Sequence, residues 1–414
     1  MTSFSVQSFG CRVNQSEAFF WVNELQRLGL KYEPKFSQSD LILVNTCTLT
    51  ANADRDARRF VQKISRVNPN ARLVLTGCLV ERAPEEFLRF PQVWKILSNK
   101  DKKKLVPAVI PHIEKQERML VQSYKSRALV KIQDGCNYQC SFCIIPSVKG
   151  KSKSEEKLKI IKQVKNFIAQ GFREVILTGV HLCLYGLDMV PKVTLLDLLQ
   201  ELETTEGLGQ VRLSSLDPRF LNKKFLDFLT TSKKICPHFH LSLQSGSDDV
   251  LKRMGRSISV AEYKEVLADL RMRLPEASLG ADIIVGFPEE SDKEFTQTYD
   301  FLKESPLSYF HVFSFSSRPG TKAADWCQVQ GRKKKERASL LRALSAEKIR
   351  TFRHYFIGKE SKAIVIRKGN SRTEVLTPNY LKVYVPSCPA REKEEVWIRI
   401  THENQNCLEG QVIA

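Results

Sequence analysis

Residues 135–150 read GCNYQCSFCIIPSVKG, and within them Cys136, Cys140 and Cys143 stand at C-x3-C-x2-C spacing. A structural zinc site wants four ligands, usually as two separated pairs. Here three thiols crowd one short loop, while His181 and Cys183 lie far along the chain. An iron–sulfur cubane suits such a triad better, because three thiolates leave one iron open to a non-protein ligand. The loop directly follows ALVKIQ (128–133), a short apolar stretch that reads as a β-strand.

Five more strand candidates follow at intervals: EVILTGV (174–180), QVRLSS (210–215), HFHLSL (238–243), LGADIIVGF (279–287) and YFHVFSF (309–315). Amphipathic helical segments separate them. Six consecutive β/α units predict a barrel or part of one, with chemistry at the carboxyl ends of the strands. Upstream, SFSVQSFG (3–10), LILVNT (41–46) and RLVLTG (72–77) read as strands of a parallel α/β layer. In the segment 51–66, Ala53, Ala57, Phe60, Val61 and Ile64 recur at helical spacing, opposite Arg55, Arg58, Arg59, Lys63 and Arg66. NKDKKKL (99–105) reads as a charged linker. Downstream, residues 332–353 form a helix pattern with nine basic and two acidic residues. The tail then changes character: AIVIRKG, TEVLTP, LKVYVP, VWIRIT and LEGQVI predict a small all-β barrel. The expected domains span residues 1–105, 122–352 and 357–414.

Lys and Arg number 65 against 46 Asp and Glu, a net charge of +19 that favours a polyanionic partner, most simply a nucleic acid. No apolar run reaches the length of a membrane span. The opening MTSFSVQSFGC lacks a basic start followed by an apolar stretch, so a cytoplasmic location is expected. In a reducing compartment the 11 cysteines are not a disulfide framework. Cys183, Cys236, Cys327, Cys388 and Cys407 form no pair at metal spacing and read as ordinary thiols, although Cys183 follows a strand end and could face a site.

Cys11, Cys47 and Cys78 are different. They stand in SFGCRVNQ, VNTCTLT and LTGCLVE, each just past a strand candidate. A lone cysteine at such a place is usually a buried structural thiol. Successive strand ends of a parallel sheet lie at one edge, however, so these three can converge and hold a second cluster.

The loop at 136–143, with Phe142 before its last cysteine, resembles the radical S-adenosylmethionine (SAM) enzymes. The resemblance implies that Cys136, Cys140 and Cys143 are catalytic. They would hold a [4Fe-4S] cluster whose open iron chelates the amino and carboxylate groups of SAM and whose electron cleaves the sulfonium. LTGVH (177–181), RLSSLDP (212–218), LSLQSGSDDVLKRM (241–254) and ADIIVGFPEE (281–290) resemble that family's SAM-pocket and rim segments. Gly179 would allow close backbone approach, and Ser214 and Gln244 would offer polar contacts to SAM.

The full combination is similar to the methylthiotransferases: a three-cysteine α/β domain, a radical-SAM barrel and a small β module like a TRAM domain. That similarity implies two [4Fe-4S] clusters, the auxiliary one on Cys11, Cys47 and Cys78. It also implies SAM as methyl and radical source, with an electron donor and a sulfur source that the sequence does not identify. GCRVNQSE (10–17), KIQDGCNYQCSFCIIP (131–146), LTGVHLCLYG (177–186) and HVFSFSSRPGT (311–321) resemble the branch acting on N6-threonylcarbamoyladenosine (t6A) at position 37 of tRNA. The other branches act on isopentenyladenosine in tRNA or on ribosomal protein S12. A non-catalytic iron–sulfur RNA-binding protein is the alternative of another class. Two departures from the family stand out. Its arginine run after the CIIP segment is replaced by KGKSKSE (149–155), with Lys149, Lys151 and Lys153, and its usual glutamate in the SSxEP segment is Asp217. Lysine keeps the charge and loses the bidentate fork.

Overall fold

A computed structural model describes residues 2–111, 125–405 and 407–413. The expected start of the second domain, residue 122, lies outside the described residues, as does residue 414. The chain forms two compact units, neither continuous in sequence. The first comprises residues 1–124, 134–153 and 316–324, and the second residues 125–133, 154–315 and 325–414.

The first unit is built on a five-stranded parallel sheet, β1 (Ser3–Ser8), β2 (Lys31–Tyr32), β3 (Leu41–Thr46), β4 (Arg72–Gly77) and β5 (Val93–Ile96), in the order β2-β1-β3-β4-β5. The central strand β3 is buried along its whole length, and its alternating side chains feed two cores. Leu41 and Leu43, with Phe4 and Val74, pack against Ala18, Trp21, Val22 and Leu25 of helix α1 (Arg12–Arg27). Ile42 and Val44, with Leu73 and Leu75, pack against Ala57, Val61 and Ile64 of helix α2 (Ala51–Val67), as the helical spacing predicts. The edge strands β2 and β5 were not expected. One has two residues, and the other, VWKI, carries a lysine within its apolar run.

The segment 99–105 is not the solvated linker its charges suggest. A 3₁₀ turn, Lys102–Lys104, leads into a helix, Leu105–Val109, whose Leu105 and Val109 join the α1 core. Lys102 itself is buried.

In the second unit all six expected strands form. Gln210–Leu213, Glu174–Thr178 and Ala128–Lys131 make one parallel sheet. His238–Gln244, Ser278–Val285 and Tyr309–Ser314 make another. Parallel bridges Val211↔Ile235 and Leu216↔Leu241 join the two into a partial (β/α)6 barrel. The tail closes as a five-stranded barrel, Glu360–Lys368, Thr373–Leu376, Lys382–Val385, Cys407–Val412 and Glu395–Asn404 in spatial order, around Val365, Val375, Val383 and Ile398. The predicted basic helix spans Gly331–Tyr355.

Candidate metal centre and cofactor site

Sheet register brings the N-terminal cysteines to one edge. Ser8 lies opposite Asn45, and Asn45 opposite Thr76, so the three strands end level. Cys47 and Cys78 then follow two residues past that line and Cys11 three. Glycine shapes the turns. Gly10 (φ +82°) and Gly77 (φ +103°) place Cys11 and Cys78 at the heads of α1 and of α3 (Cys78–Arg82), in a left-handed conformation that a side chain would strain. Asn14 fastens the edge, donating from Nδ2 to Phe9 O at 3.0 Å and to Thr46 O at 2.9 Å.

Cys47 and Cys78 are both 2% exposed. Burial pushes the Cys47 thiol up to about 12, against a hydrogen bond from Leu49 N, and the nearby Cys11 and Cys78 push it the same way. Burial also raises Cys78, which feels Lys149, Lys102 and Cys11. The three strand-end thiols are therefore within electrostatic reach of one another. Among the described residues no three His, Cys, Asp or Glu side chains are placed to share one metal ion. A cubane spreads its thiolates over different irons, so a common point is not required, and iron would supply the charge that ionises these thiols.

The second triad belongs to the same unit, as residues 134–153 do. Gly135 (φ +70°) starts the loop, Cys136 N donates to Gly150 O at 3.1 Å, and Cys143 N donates to Cys140 O at 3.0 Å. Cys136, Cys140 and Cys143 are all partly exposed, as ligands facing a small molecule need to be. The helix that follows, Ile145–Lys149, packs against α3, which begins with Cys78. All six expected ligands thus lie in one compact unit, in two sets of three soft donors that each fit a cubane with an open iron.

At the strand ends of the second unit, Gly179 stands so close to Gln133 that a Cβ there would lie 2.9 Å from its Oε1. Ser214 Oγ and the neighbouring Thr178 Oγ1 are buried without a hydrogen-bond partner among the described residues. Gln244 takes φ +84°, a backbone state that non-glycine residues seldom adopt. Orphaned hydroxyls and a left-handed glutamine at strand ends suit a polar ligand such as SAM.

Two profiles match the chain: the Radical SAM superfamily over residues 130–302 and the uncharacterized protein family UPF0004 over residues 3–98. A protein of Aquifex aeolicus named threonylcarbamoyladenosine tRNA methylthiotransferase MtaB is 36% identical over 395 residues, covering 91% of this chain and 95% of that one. Its namesake in Bacillus subtilis is 31% identical over 438 residues, covering 100% and 97%. This chain belongs to the MtaB family. A tRNA-2-methylthio-N(6)-dimethylallyladenosine synthase of Dictyoglomus thermophilum is 33% identical, over 79% of this chain and 78% of that one. Among solved structures, the radical SAM methyltransferase TsrM of Kitasatospora setae superposes with a TM-score of 0.58 at 13% identity, over 78% of this chain and 75% of that one, a likeness of fold alone. As a radical SAM methylthiotransferase, the MtaB-family chain is an enzyme that uses SAM and two [4Fe-4S] clusters.

Several residues of this MtaB-family chain behave differently from what their sequence suggests. Lys149 is buried, with a side chain 1% exposed, and pairs with Asp134 at 3.0 Å and Glu17 at 3.8 Å. Burial opposes its charge, but the two carboxylates outweigh that and hold its pKa above the ordinary lysine value. Lys149 therefore does not reach phosphate, whereas Lys151 and Lys153 remain exposed. Asp217 caps the short turn Pro218–Phe220 through Arg219 N and holds both Arg219 and His181 Nε2, the latter at 3.1 Å. A short side chain reaching its own backbone two residues on explains why aspartate serves here. Cys183 is buried, receives Asp217 N at 3.3 Å and is pushed up to about 12 by that burial, so it is a structural thiol. Asp54 was not foreseen: it lies on the apolar face of α2 and pairs at 2.8 Å with both Arg82 and Arg318.

Proposed function

We propose that this protein methylthiolates C2 of N6-threonylcarbamoyladenosine at position 37 of tRNA. In this reading Cys136, Cys140 and Cys143 hold the SAM-cleaving cluster, and Cys11, Cys47 and Cys78 hold the auxiliary one. The observation that carries it is the likeness along 91% of this chain to a threonylcarbamoyladenosine tRNA methylthiotransferase, and the gathering of three strand-end thiols in the unit that also holds the three-cysteine loop supports its two-cluster chemistry. When bound, SAM and the clusters would supply a radical to remove the C2 hydrogen and a methyl group for the sulfur placed there.

The chain's own residues would do the rest. Gly179 lets the backbone approach the cofactor. Ser214 and Thr178 would donate or accept at its polar groups, and Gln244, at a strand end with φ +84°, would offer a further polar contact. Asp217, by pairing with His181 and Arg219, would keep the imidazole and the guanidinium in fixed orientation beside them. The domain reading follows: residues 1–105 form the methylthiotransferase domain, 122–352 the radical SAM core and 357–414 a TRAM-like tRNA-binding barrel. Lys151, Lys153 and exposed cations of the helix Gly331–Tyr355 would meet the phosphates. The enzyme would work in the cytoplasm with an external one-electron donor and sulfur source.

Nucleoside mass spectrometry of total tRNA from a strain lacking the gene, beside its parent, tests this. The 2-methylthio form of t6A should vanish while t6A remains. Persistence of that nucleoside with loss of methylthio-isopentenyladenosine would move the chain to the other tRNA branch. An unchanged nucleoside profile would point to S12.

A further inference from the structure

Four charged side chains run in a line through the cysteine-bearing unit, three of them buried and the last, Asp134, 29% exposed. Lys102 Nζ meets Glu17 Oε2 at 2.8 Å and Asn45 Oδ1 at 3.0 Å. Glu17 Oε1 faces Lys149 Nζ at 3.8 Å, and Lys149 meets Asp134 Oδ1 at 3.0 Å. The side chains of Lys102, Glu17 and Lys149 are 6%, 6% and 1% exposed. Burying so many charges costs several kcal/mol per ion before pairing, so such a chain is a poor source of stability and calls for another reason to exist.

Its two ends supply that reason. On one side, Asn45 Nδ2 donates to Glu17 Oε2 at 2.9 Å and to Asn14 O at 3.1 Å, two residues before Cys47 and three after Cys11. Cys78 feels both lysines. On the other side, Asp134 accepts Gly135 N at 3.0 Å and stands two residues before Cys136. The line thus begins in the cradle of one thiol triad and ends at the entry to the other. A tristhiolate cubane is anionic, and a buried ammonium beside it favours the more negative, reduced state.

We propose that Lys149 is a positioning residue shared by the two cysteine sets, its ammonium joining the Lys102–Glu17–Lys149–Asp134 chain and setting the electrostatic environment of the auxiliary cluster. This rests on the reading that each triad holds a cluster. It also gives the lysine-for-arginine departure a role inside the protein instead of on RNA.

The test uses full-length protein carrying C136A, C140A and C143A, so that only the auxiliary cluster reports. After anaerobic reconstitution, iron and sulfide are counted, and the cluster is titrated with a chemical one-electron reductant under EPR. Lys149→Met should load iron as the parent does and reduce less readily, by roughly tenfold in equilibrium constant, or about 59 mV for one electron. Lys149→Arg should restore most of that. Glu17→Gln, which removes a negative charge instead, should shift the potential in the opposite direction, a sign that misfolding would not produce. Equal potentials in parent, Lys149→Met and Glu17→Gln would overturn the inference and leave the two-cluster reading standing. A parent background that binds no iron would overturn that reading, and the inference with it.

Discussion

Gly10 packs its bare Cα against the side chain of Cys47: a Cβ at position 10 would collide with both Cβ and Sγ of that cysteine. The contact joins the turn after β1 to the end of β3, and the residue next to Gly10 is Cys11. Whatever widens this contact separates two of the three thiols.

Gly10→Ala should therefore act on the auxiliary cluster before it acts on the fold. The substitution combines a left-handed backbone penalty of about 1–2 kcal/mol with an overpacked contact of similar size. Iron should fall from roughly eight to roughly four atoms per chain after reconstitution, the count of one cubane lost. SAM cleavage to 5′-deoxyadenosine should persist while methylthiolation is lost. Full iron loading in Gly10→Ala would show that the Gly10–Cys47 contact does not shape the cluster.

Asp217→Asn should destabilise the second unit by about 2–4 kcal/mol, because it leaves Arg219 and His181 without their shared buried anion. Burial raises the Asp217 carboxyl, but hydrogen bonds from Arg219 and His181 outweigh it and hold it well below the usual carboxylate range. A depressed native pKa gives stability that is fully present above the unfolded value near 4 and is lost only as pH falls below it. The difference in urea midpoint between parent and Asp217→Asn should thus not shrink between pH 8 and pH 5. A gap that already closes between pH 8 and 6 would assign it to another group.

Those two sites show what the sequence makes visible. Thiol spacing, strand-end placement and short β-branched runs are local signals, and they locate the six cysteines, the six barrel strands and the five strands of the tail. Partners far apart in sequence are not local. Nothing near Lys102 or Lys149 marks them as buried; their fate depends on Glu17, which α1 delivers. Arg318 looks like part of a surface turn until Asp54 of α2 is found opposite it. The edge strands β2 and β5 are too short or too mixed to announce themselves and exist because β1 and β4 offer open edges.

Arg212 is another such case, and it changes how the tail barrel should be studied. It is 1% exposed, pairs with the fully buried Glu174 at 2.7 Å, and donates to Pro378 O at 2.8 Å and Thr377 O at 3.3 Å. Its guanidinium stands 5.0 Å from the ring of Tyr380, which stacks on His238 at 4.3 Å. Arg212→Ala should cost about 3 kcal/mol, because Glu174 loses its close partner and keeps the longer 3.4 Å pair to Arg127. It should also release the segment 377–381, read as faster limited proteolysis there with the parent as control. Deleting residues 358–414 would uncover the same pair, so the truncated chain should lose solubility before it reports on RNA.

RNA contact is better tested by charge reversal on the intact protein. Much of the basic helix Gly331–Tyr355 is engaged internally: Arg337 is buried against Glu290 and Asp292, Arg353 pairs with Glu403, and Lys348 donates to the carbonyls of Lys303 and Ser305. Lys335 and Arg342 are exposed, and seven residues apart they share a face. If that face meets phosphates, Lys335→Glu with Arg342→Glu should weaken tRNA binding by roughly tenfold or more at 0.1 M salt and flatten the slope of log affinity against log salt by about 2. Reversal of Arg337 would instead unfold its buried ion pair and is uninformative about RNA. An unchanged salt slope in the double variant would move the RNA footprint off this helix, leaving Lys151, Lys153 and the tail barrel as the surfaces to reverse next.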